Sequence, residues 1–256
     1  MTLIPLPAFT DNYIWMLHDG RNAVVVDPGD AGPVMQALTD SGLTLQSILV
    51  THHHPDHVGG VDALRAATGA RVLGPARERI PEPFEKLADG DVVQVLGHPF
   101  TVMDVPGHTA GHIAYFSPAF DASPILFCGD TLFSAGCGRL FEGTPAQMLR
   151  SLDRLASLPG ATRVCCTHEY TLSNLRFACA VEPANKDLLE YVGHCQALRA
   201  QQQPTLPARL ALERLINPFL RTREASIVAV ARARDPAAMT DEQVFAVIRQ
   251  WKNDFK

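Results

Sequence analysis

The hexapeptide His52-His53-His54-Pro55-Asp56-His57 follows directly on the apolar run Ser47-Ile48-Leu49-Val50-Thr51. Side chains alternate faces along an extended segment, so His52 and His54 point one way and His53 points the other. Two imidazoles on one face can reach a common ion. Pro55 then turns the chain, and Asp56 and His57 project from the turn, near enough to bind a neighbouring ion and too far around the bend to join the first. One short motif therefore implies two metal sites.

Side chains from one loop cannot fill two coordination spheres, so further ligands must come from downstream. His108 in Val105-Pro106-Gly107-His108-Thr109, Asp130 in Leu126-Phe127-Cys128-Gly129-Asp130-Thr131 and His168 in Val164-Cys165-Cys166-Thr167-His168 each follow a short β-branched or aromatic run, as ligands at the end of a core strand do. A set of His and Asp without Cys suits Zn²⁺, Mn²⁺ or Fe²⁺ and argues against a closed thiolate structural site. Divalent ions lower the pKa of a bound water from about 15.7 toward 7 and polarise a carbonyl, which is hydrolytic chemistry. His53 is read as packed or hydrogen-bonded, His112 as structural or supporting, and Asp27, at a strand end before Pro28-Gly29, as ordering the metal loop.

These ligands need strands to carry them. Strand candidates are 13–17, 23–27, 47–51, 71–74, 92–95, 100–105, 113–116, 125–128 and 163–166, and helix candidates are 33–40, 61–68 and 145–158, ended by Gly42, Gly69 and Pro159-Gly160. Alternating strands and helices imply sheets covered by helices, and the pattern fits either a two-sheet sandwich or a single parallel sheet. From about Thr171 the spacing turns helical, over 174–180, 184–203, 208–215, 223–233 and 241–251. The domains expected are thus 1–170, catalytic, and 171–256, helical and substrate-binding.

A formal net charge of -5 argues against nucleic acid as a partner, and the sequence has neither a basic leader nor an apolar run of the roughly 18 residues a membrane span needs. The expectation is a cytoplasmic protein, a monomer acting on a small molecule. The six cysteines form no C-x-x-C pair and read as buried small hydrophobes, with Cys137, in a Gly-rich stretch, the one expected to be exposed.

The order H-x-H-x-D-H, then a lone His, a lone Asp and a lone His, resembles the metallo-β-lactamase superfamily. Pro7-Ala8-Phe9-Thr10-Asp11-Asn12-Tyr13, the stretch from Gly136 to Thr144 and His168-Glu169-Tyr170-Thr171-Leu172-Ser173-Asn174-Leu175 are similar, more narrowly, to the glyoxalase II (hydroxyacylglutathione hydrolase) family. That resemblance implies an αβ/βα sandwich with an α-helical C-terminal region. It puts His52, His54 and His108 on one ion and Asp56, His57 and His168 on the other, with Asp130 bridging; Asp56, His57 and Asp130 are the catalytic assignment, with a metal-bound bridging hydroxide as nucleophile. The ions it implies are two divalent metals, zinc first, with iron or manganese as alternatives.

The implied substrate is a glutathione thioester, above all S-D-lactoylglutathione. A thiol ionises near pH 8.5, so its thiolate leaves without obligatory protonation, and a thioesterase needs no strong general acid. The family's terminal R-x-x-K motif, here Arg249 and Lys252, is implied to bind the glycine carboxylate, and Arg139, Phe141, Tyr170 and Asn174 to line the glutathione site. Phe141 departs from members with Tyr at that position and loses a hydroxyl. Other classes fit the metal set: a lactonase or lactamase, which has no reason to keep Arg249, Lys252 or the helical tail; a mononuclear iron persulfide dioxygenase, separated by metal content and oxygen uptake; and a non-catalytic metal-binding module.

Overall fold

Residues 23–26 and 48–50 are apolar without alternation, and all are buried, as parallel strands covered on both faces require. In the computed structural model, which describes residues 1–121 and 123–255, β1 (Thr2–Ala8), β2 (Asn12–His18), β3 (Asn22–Val26), β4 (Thr44–Leu49), β5 (Arg71–Pro75) and β6 (Glu85–Leu87) form one six-stranded sheet in that order. The first two pairings are antiparallel, and β3 through β6 run parallel. Between them lie α1 (Ala31–Ser41), α2 (Pro55–Val58) and α3 (Val61–Thr68). Asp30 starts α1 by accepting from the Gly32 N–H, and Gly42, at φ 63°, ends it.

A second sheet contains β7 (Val92–Val95), β8 (His98–Asp104), β9 (Ile113–Phe120), β10 (Ser123–Gly129), β13 (Arg163–Cys166) and β14 (Ala208–Arg209), in the order β14-β13-β10-β9-β8-β7. Two buried polar tips join the sheets: Tyr115 Oη donates to the Val50 carbonyl (2.8 Å) and Trp15 Nε1 to the Cys166 carbonyl (2.9 Å). The architecture is a sandwich, so the single parallel sheet that the pattern also allowed is excluded. Between β10 and β13 come a two-stranded hairpin, β11 (Leu132–Phe133) and β12 (Gly136–Cys137), and α4 (Pro145–Ala156), begun by a capping box of Thr144 and Gln147. The helices α5 (Thr171–Val181), α6 (Lys186–Ala200), α7 (Leu210–Ile216), α8 (Ala225–Arg234) and α9 (Asp241–Asp254) complete the order.

By contact, the chain forms two units. The first holds Met1–Asp104, Ala110–Gly129 and Cys165–His168; the second holds Val105–Thr109, Asp130–Val164 and the described residues from Glu169 on. Met16, Val25, Ile48, Val50 and Leu64 belong to the core of the first, and Leu175, Ala178, Leu188 and Ile216 to a core cluster of the second. Among the described residues no helix is long and apolar enough to cross a membrane.

Strands β1, β6, β11, β12 and β14 were not among the expected strands. Pro5 and Pro7 mask β1, yet β1 is an edge strand, where a missing N–H breaks no ladder. The others have only two or three residues, too few for a period to register.

Candidate metal centre

The metal loop is shaped from beneath by one buried carboxylate. Asp27 accepts from the Thr51 backbone N–H (2.7 Å) and the Thr51 hydroxyl (2.8 Å), and its Oδ2 lies 3.1 Å from Nδ1 of His57. These bonds pin the chain where it leaves β4, and α2 then carries Asp56 and His57 round the bend. His52 Nε2 and His54 Nδ1 come within 3.1 Å of each other, while His53 turns to the buried carboxylate of Glu78, which also accepts from the Gly111 N–H (2.8 Å). The ring of His112 stacks on His52, with centroids 4.6 Å apart.

In the first unit, Asp56, His57 and His168 offer ligand atoms that all lie within 4.8 Å of one another. His168 Nδ1 is 2.8 Å from the Asp11 carboxylate, which turns Nε2 to within 3.4 Å of Asp56 Oδ2; His57 Nε2 lies 3.6 Å from the same oxygen. Asn12 Nδ2 donates to Asp56 Oδ2 (3.0 Å) and fixes the carboxylate. Asp11, in the turn that leads into β2, and Asn12, the first residue of that strand, are thus partners of His168 and Asp56.

In the second unit, His108 Nδ1–H donates to the Arg139 carbonyl (2.8 Å), and His108 Nε2 lies 3.4 Å from Asp130 Oδ2. His108 and His168 therefore share one arrangement, Nδ1 bonded to a carbonyl or carboxylate and Nε2 turned to an acidic oxygen, and His57 has the Asp27 carboxylate beside its Nδ1 without a hydrogen bond to it. Metal-ligating imidazoles are held in just this way, with the outer nitrogen anchored so that the inner one presents its lone pair. The donor set, imidazole and carboxylate, fits a borderline or hard divalent ion, and the chain binds divalent metal. Gly129, at φ 47°, brings β10 so close to Thr51 and His112 that a Cβ would overlap both, so only glycine can deliver Asp130 from this strand end.

The residues expected to line the substrate site separate into two kinds. Arg139 and Phe141 are exposed, Phe141 with its ring 5.3 Å from that of His108, and Tyr170 is 38% exposed. Asn174 and Arg249 are buried: Asn174 Nδ2 donates to the Ser134 carbonyl (3.1 Å), and Arg249 Nη1 donates to the Cys137 carbonyl (2.8 Å). Both brace the β11–β12 hairpin. Lys252 is half-buried and donates to the Ser173 carbonyl (3.3 Å); burial first, then Arg249, Arg176 and Arg139, lowers its pKa to about 8.

Cys137 is buried, contrary to the exposure its Gly-rich surroundings imply, because it lies in β12 beneath Arg249; burial pushes its thiol up, and Arg249 and Lys252 partly offset this. Two residues of this network escaped notice in the sequence. Glu213, on α7, accepts from Ser134 Oγ (2.8 Å), the Ala135 N–H (2.8 Å) and Asn217 Nδ2 (3.0 Å); Asn217 Nδ2 also reaches the Phe133 and Gly136 carbonyls. The available signal was Glu213 three residues from both Leu210 and Ile216, a carboxylate on an apolar helix face.

A two-sheet sandwich with His and Asp ligands at its strand ends defines the metallo-β-lactamase class, and the profile of that superfamily matches residues 8–168. Residues 169–255 match the profile of the hydroxyacylglutathione hydrolase C-terminus. The chain is 67% identical, over 100% of both chains, to a hydroxyacylglutathione hydrolase of Albidiferax ferrireducens, and 59% identical, over 98% of both, to one of Pseudomonas aeruginosa. It therefore belongs to the hydroxyacylglutathione hydrolase (glyoxalase II) family of the metallo-β-lactamase superfamily. Among solved structures, ETHE1 from Myxococcus xanthus shares the fold (TM-score 0.67, 24% identity, 100% of both chains). TTHA1623, solved in a di-iron-bound form, is 32% identical over 66% of this chain and 92% of that one, with a TM-score of 0.54.

Proposed function

We propose that the chain hydrolyses S-(2-hydroxyacyl)glutathione thioesters, S-D-lactoylglutathione first among them, to glutathione and the free hydroxy acid, the second step of methylglyoxal detoxification. The observation that carries the reading is the chain-long similarity to hydroxyacylglutathione hydrolases, including the helical tail that a lactonase or lactamase has no reason to keep.

In this reading His52, His54 and His108 hold one divalent ion, Asp56, His57 and His168 hold a second, and Asp130 bridges them. Zinc is the metal proposed, with iron and manganese accepted by the same donors. The di-iron form of TTHA1623 supports the count of two. When bound, the ions supply an activated water and an electrophile for the thioester carbonyl. The chain's own residues do the rest. Asp11 and the Arg139 carbonyl hold the imidazoles of His168 and His108 by Nδ1, Asp27 lies beside His57 and fixes Thr51, and Asn12 holds the Asp56 carboxylate. Arg139, Phe141, Tyr170 and Lys252 meet the glutathione moiety, and Asn174 and Arg249 act on it chiefly by bracing the hairpin. The boundary between catalytic and substrate-binding domains is placed at 170/171.

The test is an assay of purified, metal-analysed protein on S-D-lactoylglutathione. Turnover with about two ions per chain is the expected result. No turnover by metallated protein, beside good turnover of a lactone, overturns the substrate; oxygen uptake on a glutathione persulfide with a single iron overturns the reaction class. The reading also makes the chain a cytoplasmic monomer, tested by its mass in solution and by cell fractionation.

A further inference from the structure

Lys252 sits in the last turn of α9, and its ammonium is applied to one face of α5: it donates to the Ser173 carbonyl and stands 5.4 Å from the centre of the Phe177 ring. Ser173 and Phe177 are one helical turn apart, and Arg176, three residues on from Ser173, projects from the same stripe. Arg176 and Arg139 are exposed, and both lie close enough to Lys252 to make its proton easier to lose, as does Arg249. Lys252 thus feels three arginines of its own unit, in a chain whose net charge is -5.

Elsewhere in this unit some arginines are neutralised, while others, such as Arg214 and Arg232, bond only to backbone carbonyls. Arg221 is paired with Glu182, and Arg223 with Asp153 and Asp241. Among the described residues, Arg139, Arg176, Arg249 and Lys252 have no carboxylate partner. Like charges held together without a counter-charge destabilise the fold, and a bound anion relieves that repulsion. A flat guanidinium beside a compact ammonium suits a carboxylate, one binding through two parallel N–H groups and the other as a point charge.

We propose that Arg176 is a further substrate-binding residue, acting with Lys252 on the glycine carboxylate of the glutathione moiety. This rests on the substrate reading above and extends it to a residue outside the terminal R-x-x-K motif. That carboxylate is the glutathione charge with no ammonium of its own beside it, so it gains most from a second cation.

The experiment compares fully metallated wild type, Arg176→Gln and Arg176→Lys on two substrates, S-D-lactoylglutathione and its glycyl monoethyl ester, in which that carboxylate is masked. Arg176→Gln is expected to raise KM for the free acid about three- to tenfold, the range for one exposed charge-assisted contact. Its kcat and its KM for the ester should stay at wild-type values, its melting temperature should not fall, and Arg176→Lys should recover most of the lost affinity. An unchanged KM for the acid overturns the proposal, and so does an equal rise on both substrates. If the wild type turns over neither thioester, the substrate reading itself fails and the proposal falls with it; wild-type turnover with no effect at Arg176 removes the proposal alone.

Discussion

Around the metal loop, the residues proposed as ligands are the motif residues themselves, and the groups beside them are also polar: Asp27 under Thr51 and next to His57, Asp11 on His168, Asn12 on Asp56. Around the β11–β12 hairpin the arrangement is inverted. Its backbone carbonyls and N–H groups are held by Asn174, Glu213, Asn217 and Arg249, all buried, and the exposed chemistry at Arg139 and Phe141 follows just beyond. One region keeps ligands in place by anchoring side chains, the other by anchoring main chain. Loss of an anchor should therefore release metal in the first and move substrate contacts or stability in the second.

The largest effect belongs to the ligands. His54→Ala or His168→Ala should abolish turnover and lower metal content, since each removes an imidazole from a set whose atoms lie within a few ångströms of one another. Lys252→Ala should leave metal content as in wild type while raising KM. Near-normal rates in either His variant with loading confirmed would remove that residue from the ligand set and blur the contrast between the regions.

Next is Glu213, whose carboxyl pKa is raised from 4.5 to about 7 by burial, against the opposing pull of its three donors. Between those two pH values the folded chain holds a proton that the unfolded chain has released. Stability from this group is therefore present at low pH and falls as pH rises through the window, by on the order of 3 kcal/mol at 1.36 kcal/mol per pKa unit. Glu213→Gln cannot titrate. Melting curves at pH 5 and pH 8 should differ less in the variant than in wild type; an identical pH dependence in both would mean that Glu213 is ionised throughout.

Asp27 sharpens the comparison from the metal side. Asp27→Ala strips the acceptor from the Thr51 N–H and the support from His57, and removing such an outer partner weakens metal binding roughly 10- to 100-fold. Competition with a chelator measures this directly, and wild-type affinity would show that the loop keeps its shape without the carboxylate.

Much of the metal region could be read in the sequence because its ligands are rare residue types at fixed offsets, set after apolar runs that register as strands. His52, His54, Asp56 and His57 are local, so spacing alone says which share a face. The partner choices were not readable: Glu78 holds His53 from 25 residues away, and nothing in Ala76-Arg77-Glu78-Arg79 sets its carboxylate apart from a solvated one. In the helical region the motif singled out Arg249 and Asn174, but polarity cannot tell an exposed side chain from a buried brace. Burial decided that, and burial depends on how α5, α7 and α9 pack, which helical period leaves open. Cys137 shows the same limit, since its neighbouring glycines signal a loop and the fold makes them a short covered strand.

The smallest effect is at Phe141, just beyond the hairpin, where the resemblance implies that a hydroxyl is lost. Its ring is 63% exposed and lies beside His108, and its N–H donates to the His108 carbonyl (3.2 Å), so the backbone is already fixed and a para-hydroxyl would extend outward without repacking. Phe141→Tyr should leave stability within about 0.5 kcal/mol, as for most surface changes. If the added hydroxyl meets a polar atom of bound glutathione, the net gain of about 0.5–1.5 kcal/mol for one hydrogen bond lowers KM roughly two- to tenfold, with kcat and metal content unchanged. The measurement is a KM comparison on S-D-lactoylglutathione at fixed metal loading. An unaltered KM would place glutathione beyond reach of position 141 and leave its recognition to the cations at Arg139 and Lys252; a fall in kcat instead would mean that the hydroxyl disturbs His108, and that main-chain anchoring of this segment reaches the metal ligands after all.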